Sequence, residues 1–314
     1  HTFRYGPTRP YVLGLTVVLA DGAVLDLRRG ECAADARGRL ALWLPDGSRR
    51  PVPTPGYAFP ATKNAAGYLG GAGVDAVDLF VGSEGTLGVI TEVDLRLIAC
   101  PEVSSAQVIF LRDEAAALAL TQDLRGRREA LGVEAIEYFS GEALDFLRGI
   151  RRQFGGASGV PECLPAAAGC AIYLDLGMAR ADVPEALREL ARRVEAHGAD
   201  PRECWSCHET DARERLRRFR HALPEAVNAR IAETQRRHPA VTKLGTDMAV
   251  PDEALESVVA LYRRELAAAG LEFVIFGHIG DNHLHVNILP RTPDEYGRGR
   301  ALYAEFARQV VAMG

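Results

Sequence analysis

From residue 104 onward the sequence alternates between runs that fit a strand and runs that fit a helix, and this rhythm restricts the fold more than any other feature. SAQVIFL and GVEAIEYFS are rich in β-branched and aromatic residues and read as strands. DEAAALALTQDLRGRREA and GEALDFLRGIRRQF between and after them have helical spacing, the first with acidic residues in its opening turn. A glycine-rich loop spans 155–169. GCAIYLDLG is then a strand, and VPEALRELARRVEAHG a helix that stops at Gly198. His208–His238 is a long polar helical region expected to break near Pro224. TKLGTDMAV is a strand, PDEALESVVALYRRELAAAG a helix, LEFVIFGHIG and HLHVNILP two strands joined by a tight turn, and TPDEYGRGRALYAEFARQVVAM a last helix. Such repetition predicts an α+β domain over 102–314, an antiparallel or mixed sheet with helices on one face, ferredoxin-like in style.

Residues 1–101 read differently. YVLGLTVVLA and AVLDLRR flank Asp21-Gly22 as a hairpin. PVPTPGYAFP (51–60) is too rich in proline for regular structure. Cys100-Pro101-Glu102 marks the boundary. Just before it, DLFVGSEGTLGVIT threads Gly82, Gly85 and Gly88 through a turn between VDLFV and LGVIT, both read as strand. Glycine at that density permits positive φ and close approach of a ligand to the main chain. Successive N–H groups in such a turn suit anionic or strongly hydrogen-bonding groups. A plain Gly-rich hairpin remains the alternative. No GxGxxG opens a helix after a strand, which argues against a dinucleotide fold.

A second cluster lies near the end. His278 and His285 bracket the turn IGDNHL, and a hairpin brings them together. His283, His285 and Asn287 share one face at period two. Imidazoles suit zinc, iron or manganese, and Asp281 offers an oxygen or a partner that orients a ring. Structural or surface histidines are the competing explanation.

The charge balance excludes other classes. A formal charge of −5 gives no reason to expect nucleic acid, and the basic run Arg213–Arg220 alternates with Glu214, Leu216 and Phe219 as a solvated helix face would. No run of about 18 apolar residues exists to span a membrane. Six scattered cysteines suit a reducing cytosol, so a cytoplasmic location is expected, with peripheral attachment at the inner membrane face as the alternative. Cys204-Trp-Ser-Cys207-His208 has the spacing of a haem attachment site, but without an export signal the two cysteines read as ordinary thiols.

GSEGTLGVITEVDLRL resembles the second flavin-contacting segment of the FAD-linked oxidases of the vanillyl-alcohol-oxidase type (PCMH-type FAD-binding), in the D-lactate and glycolate dehydrogenase branch. HTFRYGPTRPYVLGLTVVLADGAVLDL, TKNAAGY and FGHIGDNHLHVNI are similar to further segments of that family, in the same order. The resemblance implies that 1–101 is the C-terminal part of a FAD-binding domain and 102–314 the substrate (cap) domain. It implies flavin contacts at Asn64, Gly82, Ser83, Glu84, Gly85, Thr86, Gly88, Val89 and Ile90. Against the family pattern GHxGDGNLHxN, His278 and His285 match residues that bind a divalent ion (Zn, Mn or Fe), and Asn287 one that lies at the substrate. His283 replaces the usual asparagine and is given no metal role. Arg220 aligns with an arginine that grips a substrate carboxylate, a role that suits a planar guanidinium fork. The hydroxyl often found four residues later is Pro224 here, and Lys243 matches a family lysine loosely.

The implied activity is oxidation of a small D-2-hydroxy acid (lactate, glycolate or 2-hydroxyglutarate type) by hydride transfer to flavin N5. Electrons then pass to a quinone or an electron-acceptor protein, an appended iron–sulfur domain among the options. The alternative is a non-catalytic metal- or partner-binding module of the same descent. The family's first flavin-binding half belongs before His1, and a Ser-Glu-His-Gly segment after Gly314. The 314 residues alone are therefore expected to hold FAD weakly or not at all and to turn over no substrate.

Overall fold

The computed structural model describes residues 2–64, 67–161, 164–207 and 210–314. The chain forms two compact units. One is Gly6–Cys100, and the other joins helix α1 (Thr2–Tyr5) to Pro101–Gly314.

In the smaller unit, β1 (Val12–Val18) pairs antiparallel with β2 (Val24–Arg28), as the Asp21-Gly22 turn predicts, and on its other side with β5 (Val89–Leu95). β3 (Arg39–Trp43) and β4 (Arg49–Pro53) form a separate ribbon, so the Pro-rich passage begins as strand. Pro51 and Pro53 fit because a two-stranded ribbon leaves one side of each strand without a ladder to donate to. VDLFV is not a strand. Asp75 caps a short helix, α2 (Ala76–Phe80), accepting a hydrogen bond from the Val77 amide, and Ala76, Val77, Leu79 and Phe80 are buried. Their spacing is helical, and the cap decides between two periodicities that five apolar-rich residues cannot separate.

The larger unit carries an antiparallel sheet in the order β10-β13-β12-β7-β8-β6-β9, with β11 also on β13. Its elements in chain order are β6 (Val103–Leu111), α3 (Glu114–Gly126), β7 (Val133–Phe139), α4 (Gly141–Phe154), β8 (Cys170–Met178), α5 (Val183–Ala196), β9 (Trp205–Cys207), α6 (Thr210–Arg237), β10 (Leu244–Gly245), β11 (Met248–Ala249), α7 (Leu255–Ala269), β12 (Phe273–His278), β13 (His283–Ile288) and α8 (Pro293–Ala312).

Both faces of the sheet are covered, not one. Ile109, Ile136, Ile172, Ile275 and Val286 pack with α3, α5, α7 and α8. Val108, Phe139, Tyr173 and Val274 pack on the other face with Leu144 and Leu147 of α4 and Leu216, Phe219, Leu223 and Val227 of α6. β7 is buried along its whole length, as a strand covered on both sides must be. α6 runs through Pro224 without a break. Proline there removes the N–H that would bond the Arg220 carbonyl, and the buried contacts of Phe219, Leu223 and Val227 on either side hold the helix together. TKLGTDMAV is two short bridges, with Thr246 and Asp247 between them.

Candidate functional site

Strand register places one polar row across the α6-covered face of the larger sheet. Directly opposed residues of an antiparallel pair share a face, and His278 opposes His283, Phe276 opposes His285 and Val274 opposes Asn287. Phe276 also opposes Phe139, which puts Glu137 on the same face, and Glu137 opposes Tyr173. The row therefore runs from His283, His285 and Asn287 on β13, through His278 on β12 and Glu137 on β7, to Tyr173 and Asp175 on β8. Arg220 reaches it from α6.

The turn between β12 and β13 is a short 3-10 segment, Ile279–Asp281, closed by Asn282 at φ 54°, a left-handed conformation that asparagine tolerates. Arg125 bonds both the Ile279 carbonyl and the Asn282 side chain, whose amide in turn donates to Asp252 at 2.6 Å. The charge of Asp281 raises the pKa of Arg125, against the burial that lowers it. Gly277 sits at φ 129°, and a Cβ there would lie 2.6 Å from Cδ2 of His285. Glycine is what allows the imidazole to lie over the neighbouring strand.

Three imidazoles converge, with ring centroids 4.6 Å apart for His283–His285, 5.2 Å for His278–His285 and 5.5 Å for His278–His283. His285 Nδ1 lies 2.8 Å from the Thr246 carbonyl. A carbonyl can only accept, so Nδ1 carries the proton and Nε2 keeps its lone pair. Burial, the largest influence, lowers the His285 pKa; the Thr246 bond opposes it and His278 adds to the lowering. The neutral form of an imidazole is the one that binds a metal. His278 Nδ1 is 2.9 Å from both oxygens of Glu137, an arrangement that fixes its ring and leaves Nε2 outward.

Glu137 is buried, and burial works to raise its pKa. The hydrogen bond to His278 and the charge of Arg220 outweigh that, so its carboxyl sits below the ordinary range. Arg220 ion-pairs with Glu137, lies 4.0 Å from Asp175 and stacks over Tyr173 at 5.8 Å. Burial raises the pKa of Asp175, while the Tyr173 hydroxyl that donates to it at 2.8 Å and the charge of Arg220 oppose the rise. Asp247 reaches the histidines from the β10–β11 connection, its Oδ1 2.7 Å from His283 Nε2 and 3.8 Å from His285 Nδ1.

Asn287 is 1% exposed, and its Oδ1 has no hydrogen-bond partner among the described residues. A buried amide oxygen without a donor costs free energy, so one at a site asks for a ligand donor or water. A Cβ on Gly245 would lie 3.0 Å from this oxygen and 3.3 Å from Cε of Lys243, so the exposed Lys243 stem and the Asn287 amide share one small space.

The structure brings His278, His285, Asn287, Arg220 and Lys243 to one region. Glu137, Thr246 and Asp175 were missed. They lie on β7, the β10–β11 connection and β8, far from the histidine motif in sequence, and only strand register could have revealed them. His283, given no metal role from the sequence, stands with Asp247 and His285 in a group whose potential ligand atoms all lie within 4.8 Å of one another.

In the smaller unit, Gly82 (φ 84°), Glu84 (φ 51°) and Gly85 (φ 75°) give the turn before β5 three left-handed residues in four positions. Gly85 faces open space, as a main-chain cradle for a ligand would require. Gly88 has a packing reason instead, since a Cβ there would lie 2.8 Å from the Val18 carbonyl. Ser83 is buried, its carbonyl accepts from the Thr86 amide and hydroxyl, and that hydroxyl also meets Tyr68 at 2.5 Å. Val89 and Ile90 are exposed. Asn64 donates to the carbonyls of Pro60 and Thr62 and thereby holds its own loop; Ala65 and Ala66 of the same motif lie outside the described residues. The residues present fit a flavin-contacting turn.

Cys207 lies in β9, opposite Ala106, and burial pushes the Cys204 thiol up to about 11. His208 lies outside the described residues. No helix among the described residues is long and apolar enough to cross a membrane.

Residues 100–314 match the family "FAD linked oxidases, C-terminal domain". Curated relatives include "Probable D-lactate dehydrogenase, mitochondrial" of Danio rerio, 28% identical over 99% of this chain and 52% of that protein. The mitochondrial D-2-hydroxyglutarate dehydrogenase of Bos taurus is 29% identical over 91% and 42%, and the glycolate oxidase subunit GlcD of Bacillus subtilis 26% over 99% and 54%. The chain spans about half the length of these relatives. Among solved structures, an alkyldihydroxyacetonephosphate synthase (TM-score 0.59, 13% identity, 98% of this chain and 50% of that one) and p-cresol methylhydroxylase (0.57, 15%, 95% and 55%) share the fold.

Proposed function

The chain belongs to the FAD linked oxidases, whose C-terminal domain it carries, and from that premise we propose that it is part of a FAD-dependent dehydrogenase of small D-2-hydroxy acids. In this reading residues 1–101 contribute the second half of a flavin site and 102–314 form the substrate domain. The names of the relatives support the substrate class, since D-lactate, D-2-hydroxyglutarate and glycolate are all 2-hydroxy acids. The observation that carries the reading is the buried, unpartnered Asn287 Oδ1 beside three imidazoles, because a 2-hydroxy acid brings the hydroxyl donor that this oxygen lacks.

A bound flavin would supply the hydride acceptor at N5, and a divalent cation held by His278 and His285 would lower the pKa of the substrate hydroxyl, whose proton passes to a base as the C2 hydrogen leaves as hydride. The chain's own residues bind and orient. Asn287 accepts from the substrate hydroxyl. Arg220 offers the donors that Glu137 does not occupy to the substrate carboxylate, while Glu137 keeps the guanidinium from swinging away. Lys243 adds a positive charge beside Asn287. Electrons leave to a quinone or acceptor protein.

The test uses the protein expressed from its full reading frame. Anaerobic addition of D-lactate, glycolate or D-2-hydroxyglutarate is expected to bleach the visible flavin band with at least one of the three. A flavin that none of them reduces would overturn the proposal.

A further inference from the structure

We propose that Asp247 and His283 join His285 as direct ligands of a divalent cation, with the imidazole of His283 serving where the family pattern carries asparagine. This rests on the metal reading of His285 given above and puts His283 and Asp247 in place of His278 in the ligand set. His283 and His285 lie at period two on β13, so both rings project from one face of the sheet. Asp247 is delivered to that face by two bridges, because β10 and β11 on either side of it both pair with β13. Its carboxylate oxygen already sits 2.7 Å from His283 Nε2, and it lies within 4.8 Å of a ring nitrogen of each histidine.

The neighbouring residue completes the arrangement. Thr246 takes the Nδ1 proton of His285 on its carbonyl, which leaves Nε2 as that ring's ligand atom. Its hydroxyl accepts from the Val286 amide at 2.9 Å, so the connection that carries Asp247 is tied to β13 between the two histidines and Asn287. Two imidazoles and one carboxylate leave positions open on an ion of the Zn2+, Mn2+ or Fe2+ class. One carboxylate against a divalent charge also leaves a net positive centre, which suits an anionic hydroxy acid. An asparagine at 283 would offer only a weakly basic amide oxygen, so histidine shifts preference toward metals that favour nitrogen.

The experiment measures metal binding by the 314-residue chain, independently of turnover. Zn2+ and Co2+ are titrated calorimetrically into wild type, Asp247→Asn, His283→Asn, His283→Cys and His285→Ala, with circular dichroism as the folding control. Asp247→Asn and His283→Asn are each expected to bind at least about tenfold more weakly. Co2+ bound to His283→Cys is expected to show a thiolate-to-cobalt charge-transfer band absent from wild type, a signature that only a ligand position gives. Should His283→Asn fail to fold, this band decides. Wild-type affinity in Asp247→Asn and His283→Asn with no such band, while His285→Ala loses binding, would overturn the proposal and leave the His278–His285 reading standing. Absence of binding in wild type would overturn both.

Discussion

At the scale of single residues, the polar row depends on two that carry no chemistry of their own toward a substrate. Gly277 gives His285 its place. Gly277→Ala would set a Cβ 2.6 Å from the imidazole and strain a backbone at φ 129°, so the ring must move. We expect this variant to lose Zn2+ affinity by at least about tenfold, read by calorimetry, as when a partner orienting a ligand is removed. Glu137 holds both His278 and Arg220. Removing one partner of a fully buried ion pair costs about 3–5 kcal/mol; Arg220 retains some solvent, so Glu137→Gln is expected to lower unfolding stability by about 2–4 kcal/mol in urea. Unchanged stability would mean that the pair contributes nothing. Neither effect was legible in the sequence. The histidines announce themselves by type and spacing, whereas a glutamate in GVEAIEYFS looks like any solvent-facing strand residue until register turns it inward.

At the scale of elements, caps decided what periodicity left open. Ser140 follows β7 and caps α4, its hydroxyl accepting from the Ala143 amide at 3.2 Å and the Ile275 amide at 3.3 Å while fully buried. Ser140→Ala leaves both amides without this acceptor and is expected to cost about 1–3 kcal/mol, measured as a shift in urea midpoint. The cap thereby ties α4 to β12, the strand that carries His278. Most strands and helices of the larger unit were readable because ten-residue segments carry a clear period. VDLFV was not, since its Asp75 cap was outweighed by its β-forming residues. The sequence predicts a break in α6 because proline is costly in an isolated helix. The sequence could not display the buried stripe that holds it straight. The alternation of strands and helices is satisfied by helices on one face, whereas the strands are buried on both.

At the scale of the molecule, Arg263 on α7 links three elements of the larger unit. It pairs with Glu114 of α3 at 2.9 Å and with Glu142 of α4, and Glu114 also accepts from the Tyr138 hydroxyl at 2.6 Å. Burial works to raise the Glu142 pKa, but the Arg263 bond outweighs it and holds the folded value below the ordinary one. A depressed folded pKa means stability that is present above the unfolded value of about 4.3 and is lost as pH falls through the folded value. Urea midpoints are therefore expected to fall from neutral pH toward about pH 3, and to fall less steeply in Glu142→Gln. An equal slope in the variant would rule this pair out as a source of acid sensitivity.

Under the proposed function, the polar row on the α6-covered face holds a 2-hydroxy acid for oxidation. The most direct test is the rate of anaerobic flavin reduction by the best D-2-hydroxy acid in wild type and Asn287→Ala, with protein expressed from its full reading frame. Asn287→Ala is expected to slow reduction about 10²–10³-fold, the loss typical of a positioned polar group at a reacting oxygen. Reduction at the wild-type rate in a folded, flavin-loaded Asn287→Ala protein would contradict the account.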